Sequence, residues 1–145
     1  MSDFKKINPS AINESVFDLI GKDWALVTSG NSDKFNTMTI SWGGAGIMWG
    51  MNVATAYIRP QRYTFEFIEN NGYYTMSFFD EKYRDALKLC GSKSGRDIDK
   101  VAETGLTPAF TEDGIPYFAE AKLVLVCKKM YAQFLNAESI VDNDA

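Results

Sequence analysis

The sequence predicts a mainly β fold, a β-barrel with appended helices, on three observations. Segments dense in Thr, Val, Ile and aromatic residues recur along the chain, and such residues suit a pleated, half-buried surface. Helical stretches fall between them at irregular intervals, without the strand–helix alternation of a doubly wound sheet. No GxGxxG opens a helix, which removes the dinucleotide-binding version of that sheet. With 145 residues, 46% of them hydrophobic, 14% aromatic and 23% charged, the chain reads as a single domain, 1–145, that buries a core without a disulfide framework.

The elements follow in order. ESVFDLIG, Glu14 to Gly21, predicts a short helix with Val16, Phe17 and Ile20 apolar and Gly21 as its stop. WALVTS, Trp24 to Ser29, reads as the first strand, GNSDKFN as a turn, and Thr37 to Trp42 as the strand that pairs back. In that second strand Thr37, Thr39 and Ser41 alternate with Met38, Ile40 and Trp42. It then gives way to Gly43, Gly44, Ala45 and Gly46, framed by Trp42 and Trp49. MNVATAYI, Met51 to Ile58, is a third strand closed by Arg59 and Pro60, since proline cannot donate to a continuing ladder.

TFEFIEN, Thr64 to Asn70, predicts a short helix with Thr64 as its cap and a stop near Gly72. YYTMSFF, Tyr73 to Phe79, is a strand by its aromatic and Thr content. EKYRDALKL, Glu81 to Leu89, is the strongest helix; Tyr83, Ala86, Leu87 and Cys90 fall on one face. A further short helix is expected from Asp97 to Glu103, ended by Gly105. Ala109 to Thr111 and Pro116 to Met130 read as strands around the turn Glu112-Asp113-Gly114. AKLVLVCKKMYAQF reads as one long strand, with Leu123, Leu125 and Cys127 on one face.

Charge and composition exclude several classes. The net charge of −4 argues against a nucleic-acid partner, which calls for a basic surface. There is no histidine, so Ser-His-Asp and Cys-His mechanisms, imidazole zinc sites and histidine acid–base chemistry are absent, and no metal is expected. Two distant cysteines without a CxxC fit a reduced, cytoplasmic protein. MSDFKKINPSAINES has no apolar signal region and no segment has the length to span a bilayer, so no membrane association is expected.

Two motifs carry chemistry. Small residues between Trp42 and Trp49 let a backbone approach a flat ligand closely. RPQRYT sets Arg59 and Arg62 just ahead of a helix start at Thr64, an arrangement suited to phosphate. A planar ring at one end and a phosphate at the other describe flavin mononucleotide. Other readings stand beside these. Arg59 and Arg62 also suit surface ion pairs with Glu66 or Glu69, Trp42 a core indole, and Lys93, Arg96 and Lys100 a solvated face. Ser92, Ser94 and Gly95 beside Lys93 and Arg96 make an anion nest or an ordinary turn. Cys90, Cys127, Tyr63, Phe78 and Phe79 read as packing residues.

NTMTISWGG, RPQRYTFEFI, YYTMSFF, and CGSKSGRDIDK followed by TGLTP together resemble the flavin reductase-like family with the FMN-binding split barrel, which includes the flavoredoxins. The resemblance runs from about Trp24 to Tyr131 and rests on four motifs in family order. It implies a six-stranded Greek-key split barrel, usually a homodimer, with FMN near the subunit interface. Asn36 and the strand Met38, Thr39, Ile40, Ser41 and Trp42 would line the isoalloxazine, their backbone groups meeting its pyrimidine edge. Arg59, Arg62, Tyr63 and Thr64 would lie around the ribityl and phosphate. Ser92, Ser94, Gly95, Arg96 and Lys100 would come from the loop and helix that close over the phosphate. Family members usually continue with a strand of the type HxxYIGEI; this sequence ends in ESIVDNDA without it. The barrel is therefore expected to lack that last strand or to close in another way, and a missing strand exposes a sheet edge.

The function expected is an FMN-binding oxidoreductase that takes hydride from NAD(P)H and passes electrons to an acceptor. Hydride transfer to a flavin requires no protein acid or base, so the missing histidine is no obstacle. The alternatives are a flavin-binding electron carrier without nicotinamide activity and a cofactor-free barrel serving as an interaction module.

Overall fold

The computed structural model describes residues 4–145. Its centre is a four-stranded antiparallel sheet in the order β2-β1-β5-β8. β1 (Ala25–Gly30) and β2 (Phe35–Ile40) form a hairpin, with Ala25 opposite Ile40 and Gly30 opposite Phe35. β5 (Tyr73–Phe78) lies on the other side of β1, and β8 (Leu123–Lys128) pairs with β5. Two hairpins are appended, β3 (Gly43–Met48) with β4 (Met51–Ala56), and β6 (Pro108–Phe110) with β7 (Pro116–Phe118). Helix α1 (Val16–Asp18) runs into a π turn at Leu19–Asp23; α2 is Tyr63–Asn70, α3 is Arg84–Ser92 and α4 is Lys100–Thr104. The sheet does not close on itself, so the mainly β expectation holds in its split form.

The strand period of two assigns each side chain to one of two packed layers. Ala25, Val27, Met38, Ile40, Met76 and Phe78 turn to one face, where Leu19, Ile20 and Ile68 cover them. Leu26 turns to the other, where it packs with Leu87 and Cys90 of α3 and with Phe79, Leu106 and Phe118. Cys90 is thus a packing residue, as its spacing indicated. This second face also carries buried hydroxyls. Thr28 and Thr37 bond each other across the β1–β2 pair at 2.9 Å, and Thr75 donates to the Pro116 carbonyl at 2.7 Å.

Four elements depart from expectation, each for a local reason. Gly43 to Met48 is a strand rather than an irregular stretch, because β4 pairs with it along its whole length. The intervening turn, Trp49 and Gly50, has φ of 53° and 67°, the double positive φ of a tight two-residue hairpin. The long strand expected over 121–134 is only Leu123–Lys128, the length over which β5 pairs with it, and β7 before it belongs to a separate hairpin with β6. After Lys129 donates to the Gly72 carbonyl at 2.8 Å, no partner strand remains among the described residues and the ladder ends. The helix expected from Asp97 begins at Lys100, because the Asp99 carboxylate caps the amides of Val101 and Ala102. Phe17, expected on the apolar face of the first helix, is 85% exposed.

Candidate functional site

The site is assembled on the free edge of β2, where α3 and α4 meet it. Met38 and Ile40 are core side chains, and in the alternating ladder their backbone groups face β1. Thr39 lies on the opposite face and its hydroxyl donates to the Leu87 carbonyl at 2.5 Å, tying the strand to α3. The Lys100 ammonium, only 6% exposed, donates to the Thr37 carbonyl at 2.6 Å and to the Cys90 carbonyl at 2.8 Å. Thr37 thus directs its carbonyl away from β1, and the ladder period turns the backbone of Thr39 to the same free edge. An open cleft of about 350 Å³ lies here, lined by Trp24, Thr39, Ser41, Leu87, Lys88, Gly91 and Ser92.

The β4–α2 turn supplies the charge. The Arg59 guanidinium lies over the ring of Trp42, 5.4 Å from its centroid, and that indole is 60% exposed. Arg62 donates to the Gly91 carbonyl at 3.3 Å, placing it at the end of α3. Burial, with the Arg59 charge beside it, lowers the Arg62 pKa. Burial likewise pushes Lys100 down to about 8, with the Cys90 thiol opposing and Arg62 adding to the shift. Among the described residues, Arg59, Arg62 and Lys100 have no carboxylate partner. Glu66, a candidate partner for Arg59 or Arg62 on sequence grounds, pairs instead with Arg96. Arg96 lies over the Tyr63 ring at 4.7 Å and donates to the Gln61 carbonyl at 3.2 Å, so it clasps the start of α2 with its charge compensated.

Thr64 is not the cap of α2. Arg62 occupies that position without a side-chain bond, while the buried Thr64 hydroxyl, one step into the helix, accepts from the Asn36 amide at 2.8 Å. The 92–98 loop packs on that pair. A Cβ at Gly95 would lie 2.0 Å from the Asn36 Oδ1, so only glycine fits there. Ser94 accepts from the Arg96 amide at 3.1 Å, and Ser92 donates to the Leu89 carbonyl at 3.4 Å. Gly95→Ala is expected to destabilise the protein by about 1–3 kcal/mol through overpacking. Urea unfolding measures this; an unchanged midpoint would show that Asn36 yields freely.

Lys100 makes a second prediction. Its folded pKa of about 8 lies below the ordinary 10.5, so between those values the unfolded chain holds more protons than the native one. Stability from this group therefore rises with pH across that window and is lost below it. Relative to Lys100→Met, the wild type should gain stability between pH 8 and pH 10.5 in denaturant titrations; a constant difference would contradict the depressed ammonium.

Of the residues singled out from sequence, Thr39, Ser41 and Ser92 line one cleft, and Trp42, Arg59 and Arg62 cluster beside it. Lys100 lies buried between β2 and α3, and Arg96 is bound to Glu66. Trp49 does not border the same slot as Trp42; a six-residue strand of roughly 20 Å separates them, and Trp49 meets Tyr131 instead. Sequence reasoning missed Trp24, Leu87 and Gly91 as lining residues. The four-residue spacing of Leu87 and Gly91 on one helix face was the available signal.

A family model, the flavin reductase like domain, matches residues 18–134. The chain belongs to the flavin reductase-like family. This flavin reductase-like chain is similar to the flavoredoxin of Desulfovibrio vulgaris (Miyazaki F) at 25% identity, covering 88% of this chain and 68% of that one, with a TM-score of 0.69. An FMN-binding protein from Thermus thermophilus shares the fold at 18% identity, 93% and 72% coverage and a TM-score of 0.70. Nitrilotriacetate monooxygenase component B from Bacillus cereus does so at 19% identity, 88% and 69% coverage and a TM-score of 0.61. No curated protein matches the chain. The cofactor of this family is FMN, and the residues present suit it. Arg59 and Arg62, without a carboxylate partner among the described residues, suit an anion, and an exposed indole beside the edge strand β2 suits a planar, hydrogen-bonding ring.

Proposed function

We propose that this flavin reductase-like chain holds FMN between the edge of β2 and the β4–α2 turn, takes hydride from NAD(P)H and passes the electrons to an acceptor. The observation that carries the reading is the Arg59 and Arg62 pair, without counter-charge among the described residues, beside the exposed Trp42. Bound FMN would supply the hydride- and electron-accepting ring.

The chain's own residues do the rest. Arg59 and Arg62 bind the phosphate, and the amides of Tyr63 and Thr64 at the start of α2 add donors that have no partner within the helix. The backbone of Thr39 on the free edge of β2, with that of Ser41 just past its end, meets the pyrimidine side of the ring, where fixed donors stabilise negative charge. Ser92 lines the cleft, and the loop through Ser94 and Gly95 is braced against Asn36. Lys100 acts from behind, fixing Thr37 to the end of α3.

Anaerobic mixing of the FMN-loaded protein with NADH or NADPH tests the reading; a bound flavin left oxidised by both donors would refute it. Likeness to a flavoredoxin favours one second reading, an electron carrier reduced by a protein partner and by neither nicotinamide. A homodimer is part of the proposal. Ile47, Met48, Trp49 and Met51 at the tip of the β3–β4 hairpin are exposed, and a lone two-stranded hairpin is marginal in water. Light scattering at the monomer mass would remove that part.

A further inference from the structure

We propose that Lys100 tunes the bound flavin: its ammonium, clamped where the free edge of β2 meets the last turn of α3, favours the reduced ring over the oxidised one and so raises its midpoint potential. This rests on FMN lying along the β2 edge, as proposed above.

The last turn of α3 supplies Gly91 and Ser92 to the flavin cleft. A helix C-terminus carries about half a negative charge and carbonyls without partners in the helix. Left alone, that end would disfavour any further negative charge beside it, whether phosphate or reduced ring. Side chains from elsewhere in the chain reverse its sign. The Lys93 amide meets the Leu89 carbonyl at 3.1 Å, but the next two carbonyls take cations. Lys100 donates to Cys90 at 2.8 Å and Arg62 donates to Gly91 at 3.3 Å. Two full positive charges outweigh the partial negative charge of the helix end.

Arg62 reaches that end from the start of α2, the phosphate side. Lys100 reaches it from the ring side. Its second bond, 2.6 Å to the Thr37 carbonyl, fixes the ammonium on the free edge of β2. The backbone of Thr39 follows on the same edge one ladder repeat further, about 7 Å. Two electrons and one proton convert bound FMN to its anionic reduced form, whose negative charge lies on the pyrimidine side. A cation about 10 Å away, at an effective dielectric of about 20, shifts that equilibrium by roughly tenfold.

The groups around Lys100 leave its charge in place. The strand β2, Phe35–Ile40, carries no charged side chain. Burial raises the pKa of the Cys90 thiol, which keeps it neutral. The Arg62 guanidinium has the same sign, and the Asp99 carboxylate is engaged by the amides of Val101 and Ala102. Lys100 itself, with a pKa of about 8, holds its proton at pH 7.

The test is the midpoint potential of the FMN-loaded protein, measured anaerobically against a reference dye at neutral pH. Lys100→Gln removes the charge and keeps a donor for the carbonyls, whereas Lys100→Met removes both. Both variants should fall by about 30 mV or more, the two-electron equivalent of a tenfold loss in preference for reduced FMN. A lysine that only latched β2 to α3 would behave otherwise. The glutamine variant would then keep the wild-type potential, or the methionine variant would lose oxidised and reduced FMN alike; either result would overturn the proposal. The wild type gives a reading independent of how the variants fold. Because coupling is reciprocal, reducing the flavin should let Lys100 hold its proton to higher pH, as followed by NMR of isotope-labelled lysine side chains. A Lys100 titration that ignores the state of the flavin would equally overturn the tuning. FMN affinity indifferent to Arg59 and Arg62 would instead overturn the placement of the flavin, and the tuning with it.

Discussion

FMN binding is expected to weaken by roughly 10²- to 10⁴-fold when Arg59 and Arg62 are both replaced by alanine. Each charge-assisted bond to phosphate contributes about 1.5–3 kcal/mol, and about 1.4 kcal/mol is a factor of ten in affinity. Both guanidiniums lie next to the α2 start, and Arg62 is already partly desolvated by its place against Gly91. An anion arriving there meets charge that neither water nor a carboxylate has fully compensated. Arg62→Ala alone should cost about ten- to a hundredfold. Riboflavin, which lacks the phosphate, supplies the internal control. It should bind the wild type much less tightly than FMN and respond little to either arginine. Flavin fluorescence titrations measure both ligands. Equal loss for FMN and riboflavin would mean that the arginines hold the fold or the ring rather than the phosphate.

Gly30→Ala is expected to have the largest effect on stability. Gly30 ends β1 with φ of 132°, and a Cβ there would lie 2.4 Å from the Lys34 carbonyl oxygen and 2.5 Å from the Phe35 Cα. The conformation is one that side-chain-bearing residues rarely adopt, and the obstacle is backbone, which has no flexible end to yield. Strain and overpacking together make a loss on the order of 4 kcal/mol, a large part of a domain's typical net stability of about 5–15 kcal/mol. Urea unfolding measures it directly. The consequence reaches the site as well. Gly30 sits opposite Phe35 and sets the register of β2, and a slip of one residue would exchange Thr37 and Thr39 with Met38 and Ile40 between the two faces. A variant with near-native stability would show that the 31–34 turn can rearrange without cost.

Much of the architecture was legible in local pattern. Alternation over residues 37–40, aromatic and Thr content over 73–79, and helical spacing over 81–90 each report which face of an element is apolar, and the structure follows them; Trp42, next in the alternation, lies past the end of β2 and is exposed. The proposed phosphate end likewise rests on local signals, because Arg59, Arg62 and the start of α2 lie within a few residues of each other. Elements whose character depends on a remote partner were not legible. Gly43 to Met48 is a strand because of β4, and the break between β7 and β8 exists because two different strands claim the two pieces.

Side-chain roles divide in the same way. Arg96 looked like a phosphate ligand from its neighbours in sequence, yet its partner is Glu66, thirty positions away. Lys100 looked like a surface or phosphate-facing cation, yet it is buried against carbonyls contributed by β2 and α3. Thr64 had the residue type of a cap, but the Asn36 amide takes its hydroxyl.

By itself the sequence determined the class of fold, the family through its motifs, and the chemistry excluded by the missing histidine, because these depend on residue type and short-range spacing. The tertiary structure alone decided which cations remain uncompensated, how Trp42 and Arg59 come to face one another, and that Lys100 joins the edge of β2 to the end of α3. Those properties belong to pairs of groups far apart in the chain, and the electrostatic state of a buried charge is set by its distance to every other charge and dipole around it.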